Sequence, residues 1–199
     1  MALLLLCLVS VAFSAGGTGA APALELTRPV RPWEFLPALG QRAALFGNEA
    51  GQMEAWVYPL KLFRGFHLTF HSGGEAIPAR SVARTVTVRP ESATILYASD
   101  TLQVRETLFV PVTEQGAVVI LDIQTTEPLQ VEASFVRDFT LEWPAALGAT
   151  YMSWDTALHA FSLGEESKKF SGLVGSKNAV AFRQEYATNY SQSNESSFT

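Results

Sequence analysis

Between Trp56 and Phe139 the chain is a succession of short runs in which apolar residues recur at every second position, each closed by a turn signal. In "GFHLTFHSGG", Phe66, Leu68 and Phe70 point one way and His67, Thr69 and His71 the other, and Ser72-Gly73-Gly74 ends the run. "ARTVTV", "ATILYAS", "TLQVRETLFV", "AVVILDIQT" and "LQVEASFVRDF" repeat the pattern. Period two is the mark of a half-buried strand, and turn signals every ~8–12 residues mark an antiparallel sandwich or barrel. The expected fold is all-β, a mostly antiparallel β-sandwich. "AVVILDI" is nearly continuous apolar and reads as a central strand, whereas Gln103, Arg105 and Thr107 share a wetter face. "PWEFLPALGQRAAL" holds no sustained stripe of either period and reads as a loop with one helical turn.

Composition agrees with a packed core, since 48% of the 199 residues are hydrophobic and 17% charged. A formal charge of -5 argues against nucleic acid as a partner, because phosphate binding needs clustered Lys and Arg. Residues 1–23 carry no charged side chain and combine an apolar run, Ala2 to Phe13, with a small-residue tail. They read as a signal peptide without a basic n-region, cleaved between Ser14 and Ala23. The run is too short to span a bilayer, which takes about 20 apolar residues. The expectation is an exported protein, periplasmic or secreted, with no membrane attachment after cleavage and one domain over residues 24–199. The single cysteine, Cys7, falls in the removed segment, so the mature chain has no disulfide or thiolate metal site.

No residue pattern nominates a catalytic, cofactor-binding or metal site, and no cofactor is expected. On a strand His67 and His71 lie roughly 13 Å apart, too far for one ion. His159 alternates with Ala157 and Phe161 and reads as a covered histidine. Glycoside hydrolysis needs a carboxylic acid and a carboxylate flanking the scissile bond. Glu49, Glu54, Glu106, Asp138, Glu142 and Asp155 are available, but spacing selects no pair among them. Glu165 and Glu166, beside Lys168 and Lys169, read as a solvated turn. Nucleophile elbows and Gly-rich phosphate loops are missing from the sequence. Sequons at Asn189 and Asn194 are of a kind that recurs by chance.

Aromatics are the remaining signal. Trp56 and Tyr58 alternate with Glu54 just before Pro59, and Trp143, Tyr151 and Trp154 follow later. Such a face serves either to stack a sugar ring or to fill a sandwich core. Val57, Leu60 and Leu62 around it favour packing, with Pro59 at an edge or bulge.

The strings "FGNEAGQMEAWVYPLKLF", "FHLTF", "ARTVTVRPESATILYASDTLQVRETLFVPV" and "FTLEWPAALGATYMSWD" are together similar to the amino-terminal β-sandwich of bacterial glycogen-debranching-like proteins related to amylo-α-1,6-glucosidases. The resemblance spans Arg31 to Thr199. It implies a super-sandwich packed on a catalytic α/α six-hairpin barrel that carries the catalytic carboxylates on its loops. No helical-hairpin pattern occurs in this chain, so no catalytic residue is carried over and the sandwich is expected to be incomplete at its C-terminal end. The resemblance thus implies a non-catalytic domain or fragment of an exported α-glucan-active glycoside hydrolase, whose partners would be the barrel and α-glucan. The alternative is an autonomous carbohydrate-binding module using Trp56 and Tyr58.

Overall fold

A computed structural model describes residues 24–141, 147–184 and 195–199. The segment 1–23 expected to be a signal peptide, with Cys7, together with Glu142, Trp143 and the sequons at Asn189 and Asn194, lies outside the described residues. The chain is all-β. Among the described residues the helical structure is one 3-10 turn, Ala79–Ser81.

The strands among the described residues are β1 Leu26–Pro29, β2 Phe35–Leu39, β3 Ala43–Asn48, β4 Met53–Val57, β5 Leu60–Ser72, β6 Glu75–Pro78, β7 Ala83–Arg89, β8 Ser92–Ala98, β9 Leu102–Phe109, β10 Val118–Thr125, β11 Gln130–Leu141, β12 Thr150–Asp155, β13 Ala160–Glu165, β14 Ser171–Gly175, β15 Phe182–Arg183 and β16 Glu195–Phe198. They form a five-stranded sheet ordered β1-β7-β8-β9-β10 and an eight-stranded sheet ordered β15-β16-β11-β5-β4-β3-β2, with β6 also on β5. A third sheet is ordered β12-β13-β14, and all the pairings are antiparallel.

The alternation read from sequence places the core. Ala93, Ile95 and Tyr97 of β8 and Leu102, Val104, Glu106 and Leu108 of β9 are buried, as are Phe66, Leu68 and Phe70 of β5. Phe70 meets Tyr97 edge-on at 5.6 Å between ring centres, joining the two large sheets. Phe135 of β11 packs on Phe63 at 5.4 Å and on Phe161 of β13 at 5.5 Å, which draws the third sheet into the same core. Aromatic pairs at these separations gain stabilisation beyond the area they bury.

Two expectations about elements are corrected. The stretch expected to be a loop, "PWEFLPALGQRAAL", supplies β2 and β3, paired from Phe35↔Asn48 to Leu39↔Ala44. Its period was hidden because both faces are apolar: Leu36 and Ala38 are buried while Phe35 and Leu39 stand exposed. Pro37 is tolerated because β2 ends the sheet and one side of its backbone needs no partner. The expected central strand, "AVVILDI", is β10, which among the described residues is an edge paired to β9 alone. Ile120 is 53% and Ile123 42% exposed. Hydrophobicity on both faces reports what a strand can bury, not which neighbours it has.

Candidate functional site

The string "GNEAGQMEAWVYP" forms the end of β3, a turn and β4. After β3, Asn48 Oδ1 accepts from the backbone N–H of Ala50 at 3.0 Å and of Gln52 at 3.3 Å, fixing a tight turn. This is the local hydrogen bonding for which Asn is favoured in turns. Gly51 takes φ +79° there, against the Tyr97 hydroxyl. Pro59 lies in the two-residue link between β4 and β5, where no ladder hydrogen bond is required of it, instead of at an edge or bulge.

β4 then projects Glu54 and Trp56 from the outer face of the eight-stranded sheet, while Met53 and Ala55 are buried beneath. Trp56 is half-buried, its indole N–H donates to Glu54 Oε1 at 2.9 Å, and Lys61 Nζ sits 5.4 Å from its ring centre. Lys61 Nζ is 2.7 Å from Glu54 Oε2 and 3.3 Å from Asp138 Oδ2, and Arg64 Nε approaches the same Asp138 oxygen at 3.7 Å. Partial burial works against the charge on Glu54, but hydrogen bonds from Lys61 and Trp56 outweigh it and hold the carboxyl below its ordinary range. Burial likewise opposes the Lys61 charge and is outweighed by Glu54 and Asp138, which raise it. Tyr58, in the link, is exposed. The indole N–H and one ring face are thus occupied within the sheet, which is a packing arrangement on an outer face and not a bare sugar platform.

Further along the same face, His71 of β5 and Glu132 of β11 meet at 2.9 Å, Nε2 to Oε2. They line an open cleft of about 280 Å³ together with Gln130, Phe182, Arg183 and Ser197. Burial raises the Glu132 carboxyl, but Ser197, His71 and Arg183 together bring it below its ordinary value. Phe182 is stacked on Trp154 at 4.7 Å and is 50% exposed. The cleft therefore presents donors, acceptors and an aromatic ring with little net charge, the chemistry that holds a neutral hydroxylated ligand. Glu132, Arg183 and Phe182 were missed in the sequence. Their meeting with His71 depends on β5 pairing with β11 and on β16 pairing with β11 and β15, contacts without a local signal.

The other histidines and carboxylates separate. His67 Nδ1 donates to the Gly65 carbonyl at 2.9 Å, and its Nε2 is 3.6 Å from Glu195. His159 is not covered. It is exposed in the turn between β12 and β13 with φ 51°, its Nδ1 2.8 Å from the Ala179 carbonyl, so the alternation assumed for it stops one residue before β13 begins. Asp155 Oδ1 accepts from the amides of Ala157 and Leu158 in that turn. Glu165 is likewise not solvated: it is buried at the end of β13, where its carboxylate accepts the backbone N–H groups of Ser167, Lys169 and Phe170 at 2.6, 2.5 and 3.0 Å. The Ser167 side chain and these amides hold it down to about 2 against the opposing effect of desolvation. Glu166 beside it is exposed as expected.

Glu49 is buried, and both its oxygens are bound by Arg28 of β1. Glu106 is fully buried, and its Oε2 accepts from the Tyr97 hydroxyl at 2.5 Å while Oε1 has no hydrogen-bond partner among the described residues. Burial pushes its carboxyl up to about 7, partly offset by Tyr97.

Among the described residues no group of three or more His, Cys, Asp or Glu is placed to hold a metal ion, and no helix is long and apolar enough to cross a membrane. Neither the protein-family models nor the curated proteins include a match to this chain.

Proposed function

We propose that this chain is a non-catalytic β-sandwich domain of an exported α-glucan-active glycoside hydrolase of the glycogen-debranching-like type, serving to support a catalytic α/α barrel. The observation that carries the non-catalytic part is the separation of carboxyl chemistry from access. Glycoside hydrolysis needs a protonated acid and an ionised partner on either side of an accessible bond. The carboxyl with the raised pKa, Glu106, is sealed in the core. The carboxylates brought together on an outer face, Glu54 and Asp138, are bridged by the Lys61 ammonium, and Glu54 is thereby held ionised. The strings that carry the family resemblance also serve the fold: Glu49 and Gly51 of "GNEAG" join the two large sheets through Arg28 and Tyr97. That supports a scaffold role.

The test is incubation of the purified chain with glycogen, pullulan and malto-oligosaccharides, together with reading of the gene beyond the Thr199 codon. No sugar release and a continuing frame that encodes helical hairpins are expected. Turnover abolished by replacing one carboxylate of this chain would overturn the non-catalytic reading, and a frame without hairpins would remove the barrel.

The cleft at His71 and Glu132 favours a second reading, an autonomous carbohydrate-binding module whose contact is this cleft rather than Trp56 and Tyr58. Malto-oligosaccharide titration separates the two sites, because Phe182→Ala would abolish binding and Trp56→Ala would spare it.

A further inference from the structure

The inner face of the five-stranded sheet holds two ionisable residues in one row of directly opposite positions. Arg28 of β1 faces Val86, Val86 faces Ile95, Ile95 faces Glu106 of β9, and Glu106 faces Leu121. Arg28 and Glu106 therefore stand three strand spacings apart, roughly 14 Å. The turn between β3 and β4 touches both places. Glu49 binds the Arg28 guanidinium, and Gly51 rests on the Tyr97 hydroxyl that donates to Glu106. These two fastenings differ in kind. At Arg28 a carboxylate meets a guanidinium and the backbone N–H of Arg31, so its charge is matched. At Glu106 the carboxyl is fully buried, Oε2 has the Tyr97 hydroxyl at 2.5 Å, and Oε1 has no hydrogen-bond partner among the described residues.

The surroundings of Glu106 are suited to its neutral form. Its inner-face neighbours Ile95, Val104, Leu108 and Leu121 are apolar, and β2, which also packs on β9, buries Leu36 and Ala38. Of the charged groups on the adjoining elements, Glu49 is held by Arg28, while Arg105 and Asp122 pair with each other on the outer face. Tyr97 stays a donor throughout, because burial and the neighbouring Glu106 raise its hydroxyl well above the ordinary range. A buried oxygen without a partner costs more when it is charged. An ionised Glu106 thus needs a donor at Oε1, and water lies just beyond the turn, where Gly51 adds no side chain and the next residue, Gln52, is exposed. We propose that Glu106 is a pH-sensitive latch: its ionisation frees the Gly51 end of the β3–β4 turn and admits water, while Arg28 and Glu49 keep the other end fastened. Burial raises the carboxyl from 4.5 to about 7, so the latch is fully closed below pH 4.5 and loosens as pH rises to about 7. The inference stands apart from the glycosidase reading.

Amide hydrogen exchange on the full chain, resolved by residue and corrected for the pH dependence of unstructured amides, tests it. The Gly51 N–H, bonded to the Asn48 carbonyl at 3.0 Å, reports the latched end, and the Arg31 N–H, bonded to Glu49 at 2.8 Å, reports the fastened end. From about pH 5.5 to about pH 8.5, protection at Gly51 is expected to fall on the order of thirtyfold, the linkage for a carboxyl that returns to its ordinary value on opening. Protection at Arg31 is expected to stay constant over the same range. Glu106→Gln is neutral at every pH and is expected to abolish the fall at Gly51. The carboxyl-carbon resonance of Glu106 in the wild type follows the titration directly, and it decides the matter if Glu106→Gln fails to fold, because the loss at Gly51 must track it. Constant protection at Gly51, an equal loss at Arg31, a loss that persists in folded Glu106→Gln, or one that does not track the Glu106 resonance would overturn the proposal.

Discussion

Arg28 and Glu49 join the two large sheets: Nη1 and Nη2 of Arg28, on β1, donate to Oε2 and Oε1 of Glu49, just past β3, at 2.9 and 2.5 Å. The backbone N–H of Arg31 adds a third hydrogen bond to the same carboxylate at 2.8 Å. A two-pronged guanidinium–carboxylate pair fixes direction as well as distance, so it sets how the start of the five-stranded sheet sits on the turn between β3 and β4.

Removing one partner leaves the other charge poorly solvated. Glu49→Ala is expected to destabilise the fold by about 3 kcal/mol, the lower end for a broken buried pair because Arg28 keeps some exposure. Arg28→Met combined with Glu49→Leu should cost less than Glu49→Ala alone. Urea unfolding of the variants measures both.

Gly51→Ala tests the other cross-sheet contact. The position has φ +79°, and an added Cβ would run into the Tyr97 hydroxyl that donates to Glu106. A loss of about 2 kcal/mol is expected from backbone strain and the displaced hydroxyl together. Equal urea midpoints for wild type and variant would contradict this.

Glu106 and Glu165 give stability opposite dependences on pH. Glu106 is raised from 4.5 to about 7 in the fold, so between these values the folded chain holds a proton that the unfolded chain releases. Stability is then full below pH 4.5 and falls as pH rises to about 7, by about 3 kcal/mol at 1.36 kcal/mol per unit. Glu165 is lowered from 4.5 to about 2, so its contribution is present above pH 4.5 and is lost as pH falls toward 2. Urea midpoints from pH 2 to 8 should therefore peak near pH 4.5, and Glu106→Gln should flatten the upper limb while leaving the lower.

Trp56→Ala is expected to cost about 2 kcal/mol, below the ~3–5 kcal/mol of a fully buried large aromatic, because the indole is half-buried. Any malto-oligosaccharide affinity should survive, since the indole N–H and one ring face are already engaged by Glu54 and Lys61. Lost binding at an unchanged unfolding midpoint would show that the strand is a ligand platform.

The strands β5, β8 and β9 were legible because their alternation is imposed by one buried and one wetter face. Ile95, Tyr97, Val104 and Leu108 lie inward as their spacing requires. β2 was not legible, since Phe35 and Leu39 make its exposed face as apolar as the buried one, and β3 was not because consecutive Ala43, Ala44 and Leu45 are all buried. The candidate site was legible only in pieces. His71 was placed on the correct face, but Glu132 is 61 residues away in sequence and reaches it through strand pairing.

Sequence by itself determined the class of structure and the side of each regular strand that faces the core, because period two is a local consequence of the pleat. Tertiary structure alone decided what those faces meet. It made "AVVILDI" an edge, sealed Glu106 against Tyr97, and turned Glu165 from an apparent surface charge into the cap of a turn. Neighbours, dielectric and hydrogen-bond partners come from residues far apart in the chain. A local pattern carries no record of them.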